Sequence, residues 1–235
     1  MKISLIIPAY NEEKYISACL ESVAKNGAGL FEIMVVDNGS TDATLDAVRL
    51  FPNVRVVKEA SKGVTKARER GFIESKGDIV AFIDADTKLP AGWVDLISDI
   101  FSKNPKVVCL SGPYIYEDVS LIARFSVRLY YLLARPIYHL LGYMATSGNL
   151  AARKSALIEI NGFDTSIDFY GDDTSIAKQL HKVGKVLFLK KFCVHTSPRR
   201  FNKEGTLRTG YRYFINFFSI VFFGKPISKN HTDIR

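Results

Sequence analysis

Two aspartates separated by one residue, Asp84 and Asp86, stand directly after the apolar run 79–83. Such a run predicts a buried strand, and at its end both carboxylates can turn towards one hard cation. Mg²⁺ and Mn²⁺ accept carboxylate oxygens and also bind a diphosphate, so the pair is typical of a site that neutralises a phosphate leaving group. The competing interpretation is a turn or a helix cap. The position after a buried strand favours the cation.

The first hundred residues alternate strand and helix patterns that would position such clusters. Apolar runs predict strands at residues 3–7, 31–36, 54–58 and 79–83. Helical patterns lie at 12–25, 41–50, 64–75 and 93–101. This order predicts a mainly parallel sheet with helices on both faces. Such sheets bind ligands at the carboxyl ends of their strands, where we place the segments 8–12, 37–42 and 84–86.

The second half of the chain has longer and less regular elements. We expect a helix over 119–141 that Pro136 kinks, a helix over 174–183 and a strand over 186–194. There is no internal repeat and no low-complexity linker. We therefore expect this half to pack against an edge of the sheet.

Length and composition favour one globular domain, since the chain has 235 residues, of which 47% are hydrophobic and 24% charged. No run reaches the roughly 20 apolar residues that a spanning helix needs, so we expect no transmembrane segment. The three cysteines, Cys19, Cys109 and Cys193, are widely spaced. They predict neither disulfides nor a cysteine metal site, which suits a cytoplasmic protein.

The net charge of +8 is concentrated near the C-terminus. Residues 185–235 contain 11 Lys and Arg against 2 Asp and Glu, so the first 184 residues are close to neutral. The usual partners of a basic segment are phosphates, anionic lipid head groups or nucleic acid.

The motifs together resemble family 2 inverting glycosyltransferases of the GT-A fold. The matching segments occur in the family's order, at 8–13, 35–42, 62–68, 84–86, 147–153 and 171–173. The resemblance implies an α/β fold, a Rossmann-like mainly parallel sheet with helices on both faces and a C-terminal helical extension. We divide the chain into a GT-A domain, 1–200, with a nucleotide-sugar half to residue 110 and an acceptor half from 111, and a basic aromatic tail, 201–235.

The implied activity is transfer of a sugar from a nucleotide-diphosphate sugar, with UDP favoured, to a hydroxyl of a glycan or lipid-linked acceptor. We assign the nucleotide-sugar site to Pro8, Ala9, Tyr10, Glu12, Asp37, Lys62, Arg68, Asp84, Ala85, Arg199 and Arg200. In this assignment Asp37 accepts a hydrogen bond from the base, and the two adjacent arginines clamp the phosphates. A solvated charge pair is the competing interpretation of the arginines, as a solvated helix face is for Lys62 and Arg68. For Asp37 to Asp42 a turn that caps the next helix is a compatible second interpretation.

By the same resemblance Asp173 is the catalytic base, and Asp172 stands where the family usually has Glu. The base accepts the proton of the acceptor hydroxyl as its oxygen attacks the anomeric carbon opposite the diphosphate, which inverts the configuration. Because Asp172 is one methylene shorter than Glu, which of the two carboxylates reaches the acceptor stays open. A helix cap is the competing interpretation of the pair. Gly148 and Asn149 are placed on the acceptor side.

We assign the Mn²⁺ or Mg²⁺ site to Asp84, Asp86 and His195. The histidine ends the predicted strand 186–194, and some members of the family place a metal-binding histidine near this point. A lone histidine is more often a structural hydrogen-bonding group, so both roles stay open.

We expect a peripheral enzyme on the cytoplasmic face of a membrane. Arg124, Arg128 and Arg135 share one side of the predicted helix 119–141. The aromatic and basic tail is typical of an interfacial helix. An anionic membrane surface and a homo-oligomer contact are the two alternatives for these faces, and no nucleic-acid partner is expected.

Two other classes of enzyme share parts of this plan. A dinucleotide-dependent oxidoreductase is disfavoured, because the first strand is followed by Pro-Ala-Tyr-Asn-Glu and not by a glycine-rich fingerprint. A nucleotidyltransferase is the enzymatic alternative. A non-catalytic membrane-binding module with a degenerate transferase fold is the other alternative, and it leaves the acidic loops unexplained.

Overall fold

The computed structural model of the chain describes residues 1–116, 136–167 and 170–227, together with the single positions 119, 127, 129 and 132. Most of the predicted helix 119–141, including Arg124, Arg128 and Arg135, lies outside the described residues. Residues 136–141 are helical.

The strands of the described chain are short and most are buried. They are β1 (Ile3–Ala9), β2 (Glu32–Asp37), β3 (Val54–Lys58), β4 (Ile79–Ile83), β5 (Thr87–Lys88), β6 (Val107–Ser111), β7 (Tyr114–Tyr116), β8 (Asn149–Arg153), β9 (Lys185–Phe188) and β10 (Val194–Thr196). The labelled helices are α1 (Ile16–Asn26), α2 (Thr44–Arg49), α3 (Val64–Glu74), α4 (Trp93–Lys103), α5 (Lys154–Glu159), α6 (Asp172–Val183), α7 (Arg199–Glu204) and α8 (Thr206–Phe223).

The larger sheet has the strand order β3-β2-β1-β4-β8-β6-β9. Strands β1, β2, β3 and β4 run parallel to one another, and β6 runs parallel to β9. Strand β8 is antiparallel to both of its neighbours, β4 and β6. The prediction of a mainly parallel sheet is confirmed. The expectation that the second half packs against an edge of the sheet is wrong for β8, which lies between β4 and β6, whereas β9 does form an edge.

The strand predicted over 186–194 is divided between two sheets. Strand β9 ends at Phe188, and β10 joins a smaller sheet of order β5-β10-β7. Between them Lys190 and Lys191 are outside any strand, and Lys191 is exposed. Two adjacent lysines cannot both be buried in a central strand without charged partners, which explains the interruption.

Alternate side chains of the central strands point to two apolar layers. On one face Leu5, Ile7 and Ile83 pack with α1 and α4, and on the other face Ile6 and Phe82 pack with α3 and α6. Each such side chain is fully buried, which stabilises the fold by roughly 1.5–3 kcal/mol per residue. The sheet is therefore a rigid base for the loops at its carboxyl edge.

The C-terminal helix α8 packs on α6. Ile220 lies against Gly171, at the start of α6, where an added Cβ would be 2.6 Å from the Ile220 side chain. The Lys178 ammonium donates to the carbonyls of Ile220 and Val221, at 3.1 and 2.9 Å, near the end of α8. Across the part of the chain that is described, every helix is too short or too polar to cross a bilayer.

Candidate active site

A cavity of about 230 Å³ opens at the carboxyl edge of the sheet. Its walls come from the ends of β1 and β4, the starts of α6 and α7, and one side of α8. The charged and aromatic side chains that line it are Glu12, Arg68, Asp84, Asp86, Tyr114, Tyr116, Asp172, Asp173, Arg199, Arg200, Phe201 and Tyr213. Residues of the predicted segments 8–12 and 84–86 and of the Asp172–Asp173 pair therefore line one cavity, whereas no residue of 37–42 does.

Arg68 joins the two acidic segments of the site. Its Nη2 donates to Asp84 Oδ1 at 2.8 Å, and its Nη1 donates to Asp172 Oδ2. The residue is only 3% exposed. Its helix, α3, can lie close to β1 because Gly71 faces Ile6, and a Cβ at Gly71 would be 2.3 Å from Ile6 Cγ2. That close packing places a buried guanidinium at the strand ends.

The second oxygen of Asp84 is fixed from the other side of the cavity. The Tyr114 hydroxyl donates to Asp84 Oδ2 at 3.1 Å and accepts the Gly148 amide at 2.9 Å. A Cβ at Gly148 would be 2.0 Å from Asp84 Oδ2. Gly148 is thus required by the close approach of this loop to Asp84. Tyr114 was not predicted; its position, just beyond the end of β6, is the signal that could have indicated it.

A second arginine joins Asp86 to the first strand. Arg199 donates two parallel hydrogen bonds to Glu12, at 2.7 and 2.6 Å, and its Nε lies 2.9 Å from Asp86 Oδ2. All three side chains are largely buried, with 13%, 3% and 10% of their side-chain surfaces exposed. Two carboxylates share one guanidinium here.

Burial is the main influence on the protonation of Asp86. Burial raises the pKa of Asp86 to about 6; Arg199 opposes this rise, while Asp84 and Glu12 add to it. Mg²⁺ and Mn²⁺ sites in phosphate-transfer enzymes are often formed by one or two carboxylates plus substrate phosphates. Asp84 and Asp86 fit that pattern. Among the described residues no group of three or more His, Cys, Asp or Glu could hold a metal ion by itself.

Asp172 and Asp173 form the first turn of α6, after Gly171 in the left-handed conformation (φ 87°). Burial raises the pKa of Asp172, and Arg68 partly offsets that rise. Burial and the neighbouring Asp172 raise the pKa of Asp173 to about 7. Asp173 Oδ1 accepts the Thr174 amide at 2.7 Å, so the competing interpretation of a helix-end contact also holds in part. Among the described residues no arginine forms an ion pair with Asp173, whereas Arg68 pairs with Asp172, which suits Asp173 to hold a proton near neutral pH.

Several residues assigned to the nucleotide lie beside the cavity. Asp37 is 4% exposed and its Oδ1 accepts the Ser40 amide at 3.1 Å, as the turn interpretation expects. The Lys62 ammonium lies 5.1 Å from the centre of the Tyr10 ring. Of the four N-terminal residues assigned to the nucleoside, Pro8 and Glu12 line the cavity, whereas Ala9 and Tyr10 do not.

Two further assigned residues, His195 and Asn149, do not line the cavity. His195 pairs with Lys88 and Ile115 in the smaller sheet, and Thr196, the next residue, lines the cavity instead. Asn149 is fully buried; its amide accepts from Trp93 Nε1 at 3.0 Å and donates to the Phe192 carbonyl at 2.6 Å. This arrangement lends no support to His195 as a metal ligand, and it gives Asn149 a structural role in the sheet.

The inner side of α8 completes the cavity, and the sequence did not predict any of its residues as part of the site. Thr209, Gly210 and Tyr213 line it, and the Tyr213 ring meets Tyr170 edge-on at 5.6 Å. Arg200 also lines it and donates to Glu204 Oε1 at 2.8 Å. Helical periodicity alone cannot tell which side of a terminal helix faces a cavity, so no sequence signal identified these residues.

The parallel sheet, the inserted antiparallel strand and the acidic cavity at the carboxyl edge define the GT-A type of glycosyltransferase fold. The chain belongs to glycosyl transferase family 2: the model of the family described as "Glycosyl transferase family 2" matches residues 4–160.

Curated relatives match part of the chain. The uncharacterized glycosyltransferase YibD of Escherichia coli is 35% identical over 92 residues, which are 37% of this chain and 27% of YibD. A PGL/p-HBAD biosynthesis glycosyltransferase of Mycobacterium tuberculosis is 40% identical over 91 residues, which are 37% of this chain and 36% of that protein. The chain thus spans far less than two thirds of the length of these relatives.

Solved structures share the fold over nearly the whole chain. The mannosyltransferase PcManGT of Pyrobaculum calidifontis, in complex with GDP-Man and Mn²⁺, has a TM-score of 0.70 at 21% identity and covers 94% of this chain and 64% of its own. Residues 1–349 of S. aureus TarS, in complex with UDP, have a TM-score of 0.67 at 21% identity; the match covers 94% of this chain and 72% of that one. Glucosyl-3-phosphoglycerate synthase of M. tuberculosis, in complex with Mn²⁺, UDP-Glc and phosphoglyceric acid, has a TM-score of 0.67 at 23% identity. The match covers 97% of this chain and 81% of that one.

Proposed function

We propose that this protein is an inverting glycosyltransferase that moves a sugar from a nucleotide-diphosphate sugar to an acceptor hydroxyl. The observation that carries the proposal is a single cavity that has Asp84 and Asp86 on one wall and Asp173, at the start of α6, on another. Transfer with inversion needs a charged site for the leaving diphosphate and a base on the opposite side of the sugar. The cavity contains candidate residues for both roles, which supports the proposal.

We place the nucleotide-sugar donor along the carboxyl ends of β1, β2 and β4. Structures of the same fold have been solved with UDP, with UDP-Glc and with GDP-Man, so a nucleotide-diphosphate sugar suits this fold. We favour UDP, with Asp37 accepting from the base imide. Arg199 and Arg200 lie on the side of the cavity where two guanidinium groups can bind phosphate oxygens.

Asp84 and Asp86 would hold Mn²⁺ or Mg²⁺, with the diphosphate completing the coordination. A cation bound there supplies charge to offset the negative charge that grows on the leaving diphosphate. The chain's own contribution is to hold the two carboxylates in place, through Arg68 and Tyr114 for Asp84 and through Arg199 for Asp86.

Asp173 is the proposed base. With a pKa of about 7 it is partly ionised at neutral pH and accepts the proton of the acceptor hydroxyl as the oxygen attacks the anomeric carbon. Asp172 positions Arg68 and does not act as the base, since its carboxylate is engaged by that guanidinium. Acceptor candidates are hydroxyls of glycans or of lipid-linked sugars, reached from the α8 side of the cavity.

The proposal is tested by incubating the full chain with a panel of UDP-, GDP- and dTDP-sugars, with Mn²⁺, with Mg²⁺ and with EDTA. Slow hydrolysis of one donor, supported by the cation and lost with EDTA, is the expected result. Calorimetry with the free nucleotides measures binding separately. If no nucleotide binds more tightly with either cation than with EDTA, the donor-site assignment is abandoned.

A further inference from the structure

Helix α8 has its polar side turned inward. At 100° per residue, positions 209, 213, 216 and 220 fall within about 60° of one another. Thr209, Asn216 and Ile220 on that side are at most 1% exposed. Two of these three side chains are polar, although they face the protein interior.

The opposite side of α8 is aromatic. Tyr211, Phe214, Phe218 and Phe222, together called the aromatic face, fall within about 80° of one another. Tyr211, Phe214 and Phe222 are 66%, 50% and 70% exposed. The rings of Phe214, Phe218 and Phe222 form a continuous row, with Phe218 4.7 Å from Phe214 and 6.1 Å from Phe222. A contiguous row of exposed aromatic rings marks an interaction surface, whereas single exposed apolar residues do not.

The charges around the aromatic face favour one kind of partner. Arg208 and Lys225 are exposed at its two ends, and residues 185–235 carry nine more basic than acidic side chains. Two copies of the chain packed through this face would bring like charges together. Anionic lipid head groups attract the same charges, and aromatic rings with a basic edge are typical of interfacial helices. We propose that the aromatic face of α8 binds an anionic lipid surface.

The two sides of α8 then link the lipid surface to the catalytic cavity. Thr209, Gly210 and Tyr213 line the cavity, while the aromatic face points away from it. One helix thickness, about 10 Å, separates the lipid surface from the acceptor wall. This link, which rests on the proposed function, favours an acceptor whose hydroxyl is carried on a lipid and reaches Asp173 along α8.

The test is co-sedimentation of the full chain with phosphatidylcholine vesicles, with and without phosphatidylserine, at low and high salt. We expect binding to the anionic vesicles that weakens with salt, because screening shortens the range of the attraction. Replacing Phe214, Phe218 and Phe222 by Ser should lower the partition coefficient about tenfold or more, since most of the inserted apolar area is lost. Phe222→Ser alone, at the exposed end of the row, should give a smaller decrease.

The matched control replaces Phe31 and Leu50, exposed apolar residues outside α8, and should bind as the unaltered chain does. The proposal is overturned if the unaltered chain stays in the supernatant. It is also overturned if Phe222→Ser and the triple variant bind the vesicles as strongly as the unaltered chain. A concentration-dependent dimer that dissociates in the variants, without vesicle binding, would identify a second copy as the occupant. Nucleotide binding is measured on the same samples, so failure of the donor site and failure of the lipid surface give different results.

Discussion

Arg199 and Glu12 are joined by two hydrogen bonds, at 2.7 and 2.6 Å, although 187 positions separate them along the chain. The pair ties the start of α7 to the loop after β1, and the same guanidinium reaches Asp86. Both partners had been assigned separately to the nucleotide-sugar site. Their contact means that part of the proposed phosphate clamp also holds the fold together.

Arg199→Ala should therefore destabilise the protein by about 3–5 kcal/mol, because it removes the guanidinium that makes two hydrogen bonds with the buried carboxylate of Glu12. Urea unfolding measures the loss. The control is Arg49→Ala, which breaks an exposed pair with Asp46 and should change stability by less than about 1 kcal/mol. Equal stability of the two variants would contradict the importance of the buried pair.

Asp86→Asn should lose cation-dependent nucleotide binding while remaining folded. Arg199 keeps its two bonds to Glu12 in this variant, so the fold retains its main contact there. Calorimetry with UDP and Mn²⁺ should show affinity reduced to the level seen with EDTA. Asp78→Asn, at the amino end of β4, where Asp78 accepts the Lys2 amide, is the control and should bind normally. Normal binding by Asp86→Asn would remove Asp86 from the cation site.

Asp173→Asn should retain donor binding but lose transfer by about 10²-fold or more, since the shape is kept and the proton acceptor is removed. The measurement compares single-turnover transfer with nucleotide affinity. Asp172→Asn should instead weaken the contact of Arg68 with α6. A large loss of transfer in Asp172→Asn, with little in Asp173→Asn, would move the base to Asp172.

The raised pKa of Asp173, about 7, predicts the pH dependence of transfer. A base must be ionised, so kcat/KM should rise with pH and reach a plateau above about pH 7. Below pH 7 it should fall about tenfold per pH unit. Stability changes in the opposite direction. Because the folded state holds this proton up to a higher pH than the unfolded state, the group's contribution to stability decreases as pH rises from about 4 to about 7. Asp173→Asn should therefore raise Tm at pH 8 and change it little at pH 4; equal shifts at both values would contradict the raised pKa.

Gly148→Ala should weaken donor binding and lower stability together. The new Cβ would lie 2.0 Å from Asp84 Oδ2, so Asp84 must move away from Arg68 and Tyr114. Gly210→Ala is the stability control, because its Cβ would meet no atom within 4 Å and alanine favours a helix. Unchanged Tm and unchanged UDP affinity in Gly148→Ala would show that the loop can relax.

The sequence was sufficient to predict the parts of the fold that depend on residues close together in the chain. The buried runs of β1, β2 and β4 were predicted correctly from the sequence. The segments after β1 and β4 line the cavity, and the segment after β2 contacts the one after β1. Contacts between distant parts of the chain could not be read in this way. The bonds of Arg68 to Asp172 and of Arg199 to Glu12 depend on how helices are placed, and a single sequence gives residue types but no such distances.

The place of β8 has a consequence for protein engineering. Strand β8 forms hydrogen-bonded ladders with β4 and with β6, so residues from beyond position 148 occupy the middle of the sheet. A fragment that stops near residue 110 would leave the full edge of β4, a buried apolar strand, open to pairing with other chains. Exchange of acceptor-side segments between relatives therefore has to carry β8 along or preserve its register against β4, where Ala81 pairs with Ala151 and Phe82 with Leu150. Chimeras joined within this ladder should aggregate, whereas exchanges confined to α8 leave all seven strands of the sheet paired.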